Sequence, residues 1–417
     1  MRIIKLLFAS FLYISAIRAG YWQEKPLDNE AVVVVPLADM VGMPFESLGK
    51  STEEQYSAIP FCWYGNNLSC LRIHQLIFNE VVKIVDEKDN QIKCQLPNTF
   101  YYAKDGSLRN EFWTHKKYLL FLKELQNSPA MLFLVPPPYA ENFTIKEFNK
   151  NTYTTNILTL IKPWQDPLTD IVYSAGTRFV YLEKEQVLEG SFIINIIDYI
   201  HKTITVAKIP KEYATINYDN CPTTYRYNFL KVLRLWASYK TNKISYVHGG
   251  CSFIDTYDPS NIHVVTNERG SYWDRTAQPP YSGYDCSGLL LRAAQACGLP
   301  YFFKNTVTIH KFMRPLKNNE LPQEGDIIWF FGHILVINRL EPAECIEAGR
   351  YESGEGAVHI LRLSEIFENI RDFNQLHEAY TKQIPLKLLH RDSTVRKEIS
   401  ELVIFSLDSI YDKVEYH

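Results

Sequence analysis

The sequence carries little net charge. Its 417 residues include 44 Lys and Arg against 47 Asp and Glu, which gives a formal net charge of −3. It contains no run of basic residues and no low-complexity tract. Binding to nucleic acid or acidic lipid through charge requires a concentrated positive surface. We therefore expect no nucleic-acid partner.

Metal-binding patterns are also missing. The eight cysteines include no Cys-x-x-Cys pair, and the eleven histidines include no His-x-x-x-His pair. These spacings are typical of zinc sites, so their absence predicts no metal and no cofactor. Beyond residue 19, no apolar stretch approaches the roughly 20 residues that cross a bilayer. We expect no stable membrane span once the signal described next is removed.

The N-terminus is typical of a secretory signal. Met1–Lys5 is positively charged, Leu6–Ile17 is apolar, and Ala19 precedes a suitable cleavage point. This order of charged, apolar and small residues predicts a signal peptide over residues 1–19. We therefore expect export to the periplasm or the extracellular space, with a membrane anchor as the alternative, although the apolar stretch is short for a span.

Patterns along the chain predict several domains, as its length requires. Residues 29–215 contain short alternating runs between turns, which indicates β-strands. Residues 218–385 begin with helical spacing of apolar residues and continue with short apolar strands, an α+β pattern. The segment 251–284 is expected to be a long loop, and 386–417 a C-terminal extension.

One short motif points to chemistry. Asp285-Cys286-Ser287-Gly288 precedes an apolar run, so Cys286 is expected at a helix N-terminus, where free N–H groups favour a thiolate. His333 follows 47 residues later (333 − 286), at the start of a predicted strand. A cysteine nucleophile and its histidine base fit this pair. A half-buried cysteine and an unrelated histidine are the alternative.

Four blocks together resemble the NlpC/P60 cysteine peptidases of bacterial cell walls. They are Tyr246–Gly250, Asp285–Leu289, Pro322–Ile328 and Gly332–Ile337, in this order and at about the family's spacing. The resemblance implies a papain-like catalytic domain over 218–385.

The region before these blocks resembles bacterial SH3-like domains. The matching pieces are Ala31–Asp39, Gln75–Glu80 and Phe112–Leu119. The resemblance implies two small SH3-like β-barrels, over 29–127 and 128–215. The whole layout is similar to that of the γ-D-glutamyl-L-diamino acid endopeptidases.

The resemblance implies a catalytic role for three residues. Cys286 is the nucleophile and His333 the general base. A third polar group orients the imidazole in such sites. Glu347, 14 residues after His333 (347 − 333), stands where the family usually has a histidine. Glu347 could instead be an exposed strand residue without a catalytic role. In that case His359 is the alternative group to orient the imidazole.

The resemblance also implies substrate-binding residues. Tyr246 is expected to join the Cys286 N–H in the oxyanion hole, although it could serve only in core packing. Asp285, Ser287 and Glu80 are expected to bind the free α-amine of a terminal L-alanine. A helix N-cap for Asp285 and a solvated hairpin position for Glu80 are the alternatives.

The implied function is an exported cysteine peptidase that acts as a monomer on peptidoglycan or muropeptides. It is expected to cleave the bond between γ-D-glutamate and diaminopimelate or lysine, in peptides with free N-terminal L-alanine. The alternative is a non-catalytic peptidoglycan-binding protein with a degenerate peptidase domain. Two departures from the family pattern permit it: His248, which stands where the family usually has a tryptophan, and Glu347. Papain-type proteases place Cys and His much further apart.

Overall fold

The computed structural model describes most of the chain from residue 27 onward. The described ranges are 27–44, 72–96, 99–103, 105–135, 157–181, 190–216, 222–239, 243–254, 262–267, 270–275, 282–299, 301, 303–349 and 356–411. The predicted signal peptide at 1–19 lies outside these ranges.

The first region is an antiparallel seven-stranded sheet. Its strands are β1 (Glu30–Val33), β2 (Leu37–Val41), β3 (Arg72–Ile77), β4 (Val81–Lys88), β5 (Gln91–Gln95), β8 (Glu111–His115) and β9 (Leu119–Phe121), with the small pair β6 (Tyr101–Tyr102) and β7 (Leu108–Arg109) beside it. The order is β3-β2-β8-β5-β4-β1-β9. Ile92 and Cys94 are buried while Lys93 between them is not, as the alternation of a strand with one covered face requires.

The second region is a smaller antiparallel sheet. Its strands are β10 (Ile157–Leu160), β13 (Arg178–Tyr181), β14 (Ser191–Asp198), β15 (Thr203–Pro210) and β16 (Ala214–Ile216), with the pair β11 (Trp164–Gln165) and β12 (Val172–Tyr173). The order is β15-β14-β13-β10-β16. Val32 and Phe78 of the first region pack into the apolar core of the second. Closure of either sheet into an SH3-like barrel stays a prediction.

The third region joins helices to an antiparallel sheet. Its helices are α1 (Pro222–Ala237), α2 (Cys286–Ala296), α3 (Thr306–Phe312), α4 (Leu363–Ile366) and α5 (Phe373–Lys382). The central strands are β21 (Ile327–Phe330), β22 (His333–Arg339), β23 (Glu344–Ala348), β24 (Val358–Arg362) and β27 (Val403–Phe405), in the order β24-β23-β22-β21-β27. The predicted α+β class is confirmed.

Both faces of this central sheet are covered. On β22, Ile334 and Val336 point into the core that contains α1 and α2. Leu335 and Ile337 point to the opposite core, which includes Leu376 of α5. Alternate residues of a strand face opposite sides of the sheet, so the consecutive apolar side chains of β22 are all buried.

Two segments differ from the sequence-based expectation. The segment 251–284, expected as a loop, contains the hairpin β18 (Ile262–Asn267) and β19 (Gly270–Arg275), between the paired strands β17 (Cys251–Ser252) and β20 (Gly283–Tyr284). The segment from 386 contains the pair β25 (Leu386–Leu389) and β26 (Val395–Ile399), followed by β27, which pairs with β21. The expected boundary at 385 therefore divides residues that share one sheet.

Short 3₁₀ helices connect several of these elements. They are Leu27–Asn29, Lys116–Tyr118, Leu122–Leu125, Pro129–Phe133, Lys211–Tyr213 and Leu407–Tyr411. Within the described ranges, no helix has the length and apolar character that a membrane crossing needs.

Candidate active site

Cys286 is the first residue of α2. Asp285 caps this helix, with an extended backbone and a side chain that accepts a hydrogen bond from the Gly288 N–H at 2.5 Å. A side chain at position 288 would place its Cβ 2.0 Å from the carbonyl oxygen of Gly250. Glycine therefore lets the first turn of α2 pack directly on that loop. The Cys286 thiol, 8% exposed, lies where unpaired N–H groups of the helix favour negative charge.

His333 and Glu347 come together because their strands are neighbours. His333 opens β22, and Glu347 lies on β23, which pairs with β22. The imidazole Nε2 is 2.5 Å from Glu347 Oε2, and the ring lies close enough to the Cys286 thiol for the two groups to interact. Because Glu347 engages Nε2, Nδ1 is the nitrogen left to exchange a proton with sulfur. The structure thus brings together the three residues predicted to be catalytic.

Glu347 has a second imidazole partner. His359 lies directly opposite it on β24, and His359 Nε2 is 2.8 Å from Glu347 Oε1. A Cβ at position 349 would lie 2.4 Å from the same carboxylate oxygen, so Gly349 leaves the room that this carboxylate occupies. Each oxygen of Glu347 therefore has a histidine, and its orientation is fixed from both sides.

The protonation of His333 follows from these contacts. Burial opposes the charged imidazole, but the Glu347 carboxylate and the Cys286 thiol outweigh it and raise the pKa of His333 to about 10. Burial likewise opposes a charged Glu347, yet its two histidine partners hold its pKa well below the ordinary value. At neutral pH the site therefore contains an imidazolium, which favours the thiolate form of a neighbouring cysteine.

A second ion pair lies on the other side of Cys286. The Lys304 ammonium, whose side chain is 1% exposed, donates to both oxygens of Asp285, at 2.9 and 2.7 Å. Ser287 Oγ donates to Asp285 Oδ1 at 2.9 Å. Burial opposes the charge of Asp285, but Lys304 and the Gly288 N–H keep its pKa below the ordinary value. Asp285 is therefore a charged N-cap residue whose charge is balanced by Lys304.

Glu80 is engaged in a similar way. The Arg292 guanidinium of α2 donates to Glu80 Oε1 at 2.6 Å, and the Ile77 N–H donates to Oε2 at 2.8 Å. Arg292 also donates to the carbonyl of Gln75 at 3.0 Å. These bonds attach the first region to the helix that carries Cys286, so Glu80 lies in the contact between the first and third regions.

Tyr246 is buried, 7% exposed, in the same apolar core as Cys286. Its ring is T-shaped against the His248 ring, with centroids 6.3 Å apart. This position is compatible with packing and with an oxyanion contact, and the role of Tyr246 stays a prediction. So do the substrate-binding roles of Asp285, Ser287 and Glu80.

The sequence analysis did not predict the buried ion pairs of Lys304 and Arg292. Lys304 stands in an aromatic stretch, Tyr301-Phe302-Phe303, where a lysine without a partner would be costly to bury. Arg292 interrupts the apolar run of α2 in the same way. A cation inside an apolar run is the signal that could have predicted both buried ion pairs.

The described part of the chain contains no cluster of three or more His, Cys, Asp or Glu side chains suited to a metal ion. A thiol beside an imidazolium held by a carboxylate defines a cysteine–histidine–glutamate site of the hydrolase type.

Comparison with known proteins gives structural matches alone. No family model and no curated protein matches the sequence. The chain is similar to an NlpC/P60 family protein from Bacillus cereus ATCC 10987, at 14% identity and a TM-score of 0.47, covering 80% of this chain and 94% of that one. It is also similar to NlpC2 from Trichomonas vaginalis, at 11% identity and a TM-score of 0.28, covering 81% and 92%.

The predicted resemblance to NlpC/P60 proteins is confirmed as a structural match over about 80% of the chain. Since both TM-scores are below 0.5, these matches carry no argument about activity. That argument depends on the geometry around Cys286.

Proposed function

We propose that this protein is a cysteine peptidase that hydrolyses peptidoglycan stem peptides. One observation carries the proposal: Cys286, at the start of α2, lies beside His333, whose Nε2 is 2.5 Å from Glu347 Oε2. The bond proposed for cleavage joins γ-D-glutamate to diaminopimelate or lysine. The resemblance of the four sequence blocks supports this choice of substrate.

The geometry supports a two-step reaction. The Cys286 sulfur attacks the γ-carbonyl carbon of D-glutamate, and the carbonyl oxygen becomes an oxyanion near the Cys286 N–H. The His333 imidazolium gives its Nδ1 proton to the leaving nitrogen as the C–N bond breaks. A thioester remains on Cys286, and His333 is then neutral.

The second step releases the enzyme. Neutral His333 takes a proton from water, whose oxygen attacks the thioester carbon. The C–S bond breaks, which leaves a thiolate on Cys286 beside the imidazolium, and the acyl group departs as a carboxylic acid that loses its proton to solvent. Glu347 stays ionised throughout and stabilises the imidazolium whenever it forms.

Replacement of Cys286 and His333 tests this proposal. We expect Cys286→Ala and His333→Ala each to lower kcat/KM for L-Ala-γ-D-Glu-diaminopimelate by at least about 10³-fold. Products are identified by mass spectrometry, and circular dichroism verifies the fold. The control variant is His310→Ala, which removes a half-exposed histidine from α3 and should keep activity. Full activity in either site variant, or no cleavage by the wild type, contradicts the proposal.

A further inference from the structure

We infer that Lys304 is a specificity-determining residue. Its ammonium binds the Asp285 carboxylate, next to Cys286, which would otherwise be available to bind a positively charged group of the substrate. The enzyme then accepts stem peptides whose L-alanine nitrogen is acylated as readily as those with a free amine. This inference rests on the proposed function and replaces the sequence-based expectation of a free N-terminal amine.

The first argument is the charge balance at Asp285. The carboxylate accepts three hydrogen bonds on Oδ1, from Gly288 N, Ser287 Oγ and Lys304 Nζ, and one on Oδ2, from Lys304 Nζ. A buried ammonium and a buried carboxylate in contact are neutral as a pair. A substrate ammonium at Asp285 would therefore be repelled by the positive charge of Lys304 as well as attracted by the negative charge of Asp285.

The second argument is that Lys304 is fixed in place. Its side chain is 1% exposed, and its backbone N–H donates to the carbonyl of Phe100 at 2.9 Å. Phe303 beside it forms a bridge with Phe100 of the first region and is itself fully buried. The backbone of Lys304 is thus anchored at the contact between the two regions, and its ammonium is enclosed with the Asp285 carboxylate.

The third argument concerns the other nearby carboxylate. Glu80 has its charge balanced by Arg292, 1% exposed, which also donates to Gln295 Oε1 and to the carbonyl of Cys251. Both carboxylates that the sequence offers for a substrate ammonium are thus paired with buried internal cations. A peptide with an uncharged, acylated nitrogen loses no partner in such a site.

The experiment compares two substrates, L-Ala-γ-D-Glu-diaminopimelate and its N-acetyl form. For the wild type we expect kcat/KM values that agree to within about fivefold. In Lys304→Met the carboxylate of Asp285 loses its internal cation and becomes available to the free amine. We expect the preference for the free amine over the acetylated form to rise by roughly 10- to 100-fold, the size of a charged hydrogen bond.

Two further variants make the comparison specific. Asp285→Asn combined with Lys304→Met removes both charges, and we expect the substrate ratio to return to the wild-type value. Lys311→Met removes an exposed lysine of α3, whose ammonium lies over the Tyr102 ring, and should leave the ratio unchanged. The result for each variant is the ratio of kcat/KM for the two substrates. A loss of activity that affects both substrates equally therefore leaves this ratio unchanged.

The outcomes separate the inference from the proposed function. A wild-type preference for the free amine above about tenfold overturns the inference while the peptidase function stands. An unchanged ratio in folded Lys304→Met overturns it too. If that variant does not fold, the wild-type ratio decides alone. Cleavage of neither peptide by the wild type overturns the proposed function and, with it, the inference.

Discussion

Two buried carboxylates flank Cys286, and each is paired with a cation of a different kind. On the strand side, Glu347 holds His333. On the helix side, Asp285 holds Lys304. Both arrangements stabilise a charge away from water, but the imidazole lies beside the Cys286 thiol, whereas the ammonium is bound to the N-cap carboxylate of α2. The strand-side pair can therefore take part in proton transfer, while the helix-side pair sets geometry and charge.

The same comparison explains which contacts must be exact for activity. His333 has to pass a proton between Cys286, the leaving nitrogen and water, so its ring must keep one orientation through both steps. Glu347 supplies that orientation and is itself held by His359. Lys304 is instead bound to Asp285. It holds the helix N-cap, so its removal should change stability and specificity more than the chemical step.

The largest effect that separates the two pairs is expected from Glu347→Gln. The amide cannot stabilise the imidazolium as the carboxylate does, so we expect kcat/KM to fall by about 10²- to 10⁴-fold with the fold retained. Glu344→Gln, on the same strand but hydrogen-bonded to Asn338, is the matched control and should change activity little. Equal activity of both variants would remove the distinction between the strand-side and helix-side pairs.

The same variant should change the pH dependence. The pKa of His333, ordinarily near 6.5, is raised to about 10 mainly by Glu347 against the opposing effect of burial. The imidazolium needed for acylation is therefore present below about pH 10 and is lost as pH rises through that value. In Glu347→Gln the alkaline limb of kcat/KM should move by several pH units to lower pH. An unshifted limb would assign the proton donor to another group.

The helix-side pair should be more important to stability. Lys304→Met leaves Asp285 buried without its cation, and we expect the free energy of unfolding to fall by about 3–5 kcal/mol in urea titrations. Adding Asp285→Asn removes the unpaired charge and should recover part of this loss. Lys311→Met, an exposed control, should stay within about 0.5 kcal/mol of the wild type. Equal stability of the two lysine variants would contradict the pairing seen here.

The smallest effect is expected at His359. Its replacement by glutamine removes one imidazole partner of Glu347 but leaves the bond to His333. We expect kcat/KM to fall by about tenfold, the equivalent of 1.4 kcal/mol. A loss as large as that of Glu347→Gln would mean that His359 also acts in the chemical step. Steady-state kinetics across pH distinguishes the two cases.

The three residues proposed to be catalytic could be singled out from sequence because each lies in a local pattern. Cys286 begins a helix, His333 begins a strand, and Glu347 lies on the next strand, so adjacent elements bring them together. Lys304 and Arg292 could not be placed in this way. The partner of Arg292, Glu80, lies 212 residues away in another region. Such pairing depends on how regions dock, which local spacing does not encode.

The fold was predictable to a similar extent. Periodicity and order indicate the α+β class, because the apolar runs of β21 and β22 and the helical spacing of α1 are strong local signals. The three-residue strand β27 is too short for any periodicity and is defined by its pairing with β21. The hairpin of β18 and β19 lies in a segment rich in turn-forming residues, where strand signals are weak.

The most direct test of the account is the rate at which iodoacetamide alkylates Cys286 near neutral pH, followed by peptide mapping. Beside an imidazolium and a helix N-terminus, we expect Cys286 to react faster than a free cysteine peptide. Burial raises the pKa of four other thiols, which should stay unmodified: Cys94, Cys251, Cys297 and Cys345. In Glu347→Gln the rate should fall. If Cys286 reacts no faster than the peptide, the site is not poised for catalysis and a non-catalytic role is favoured.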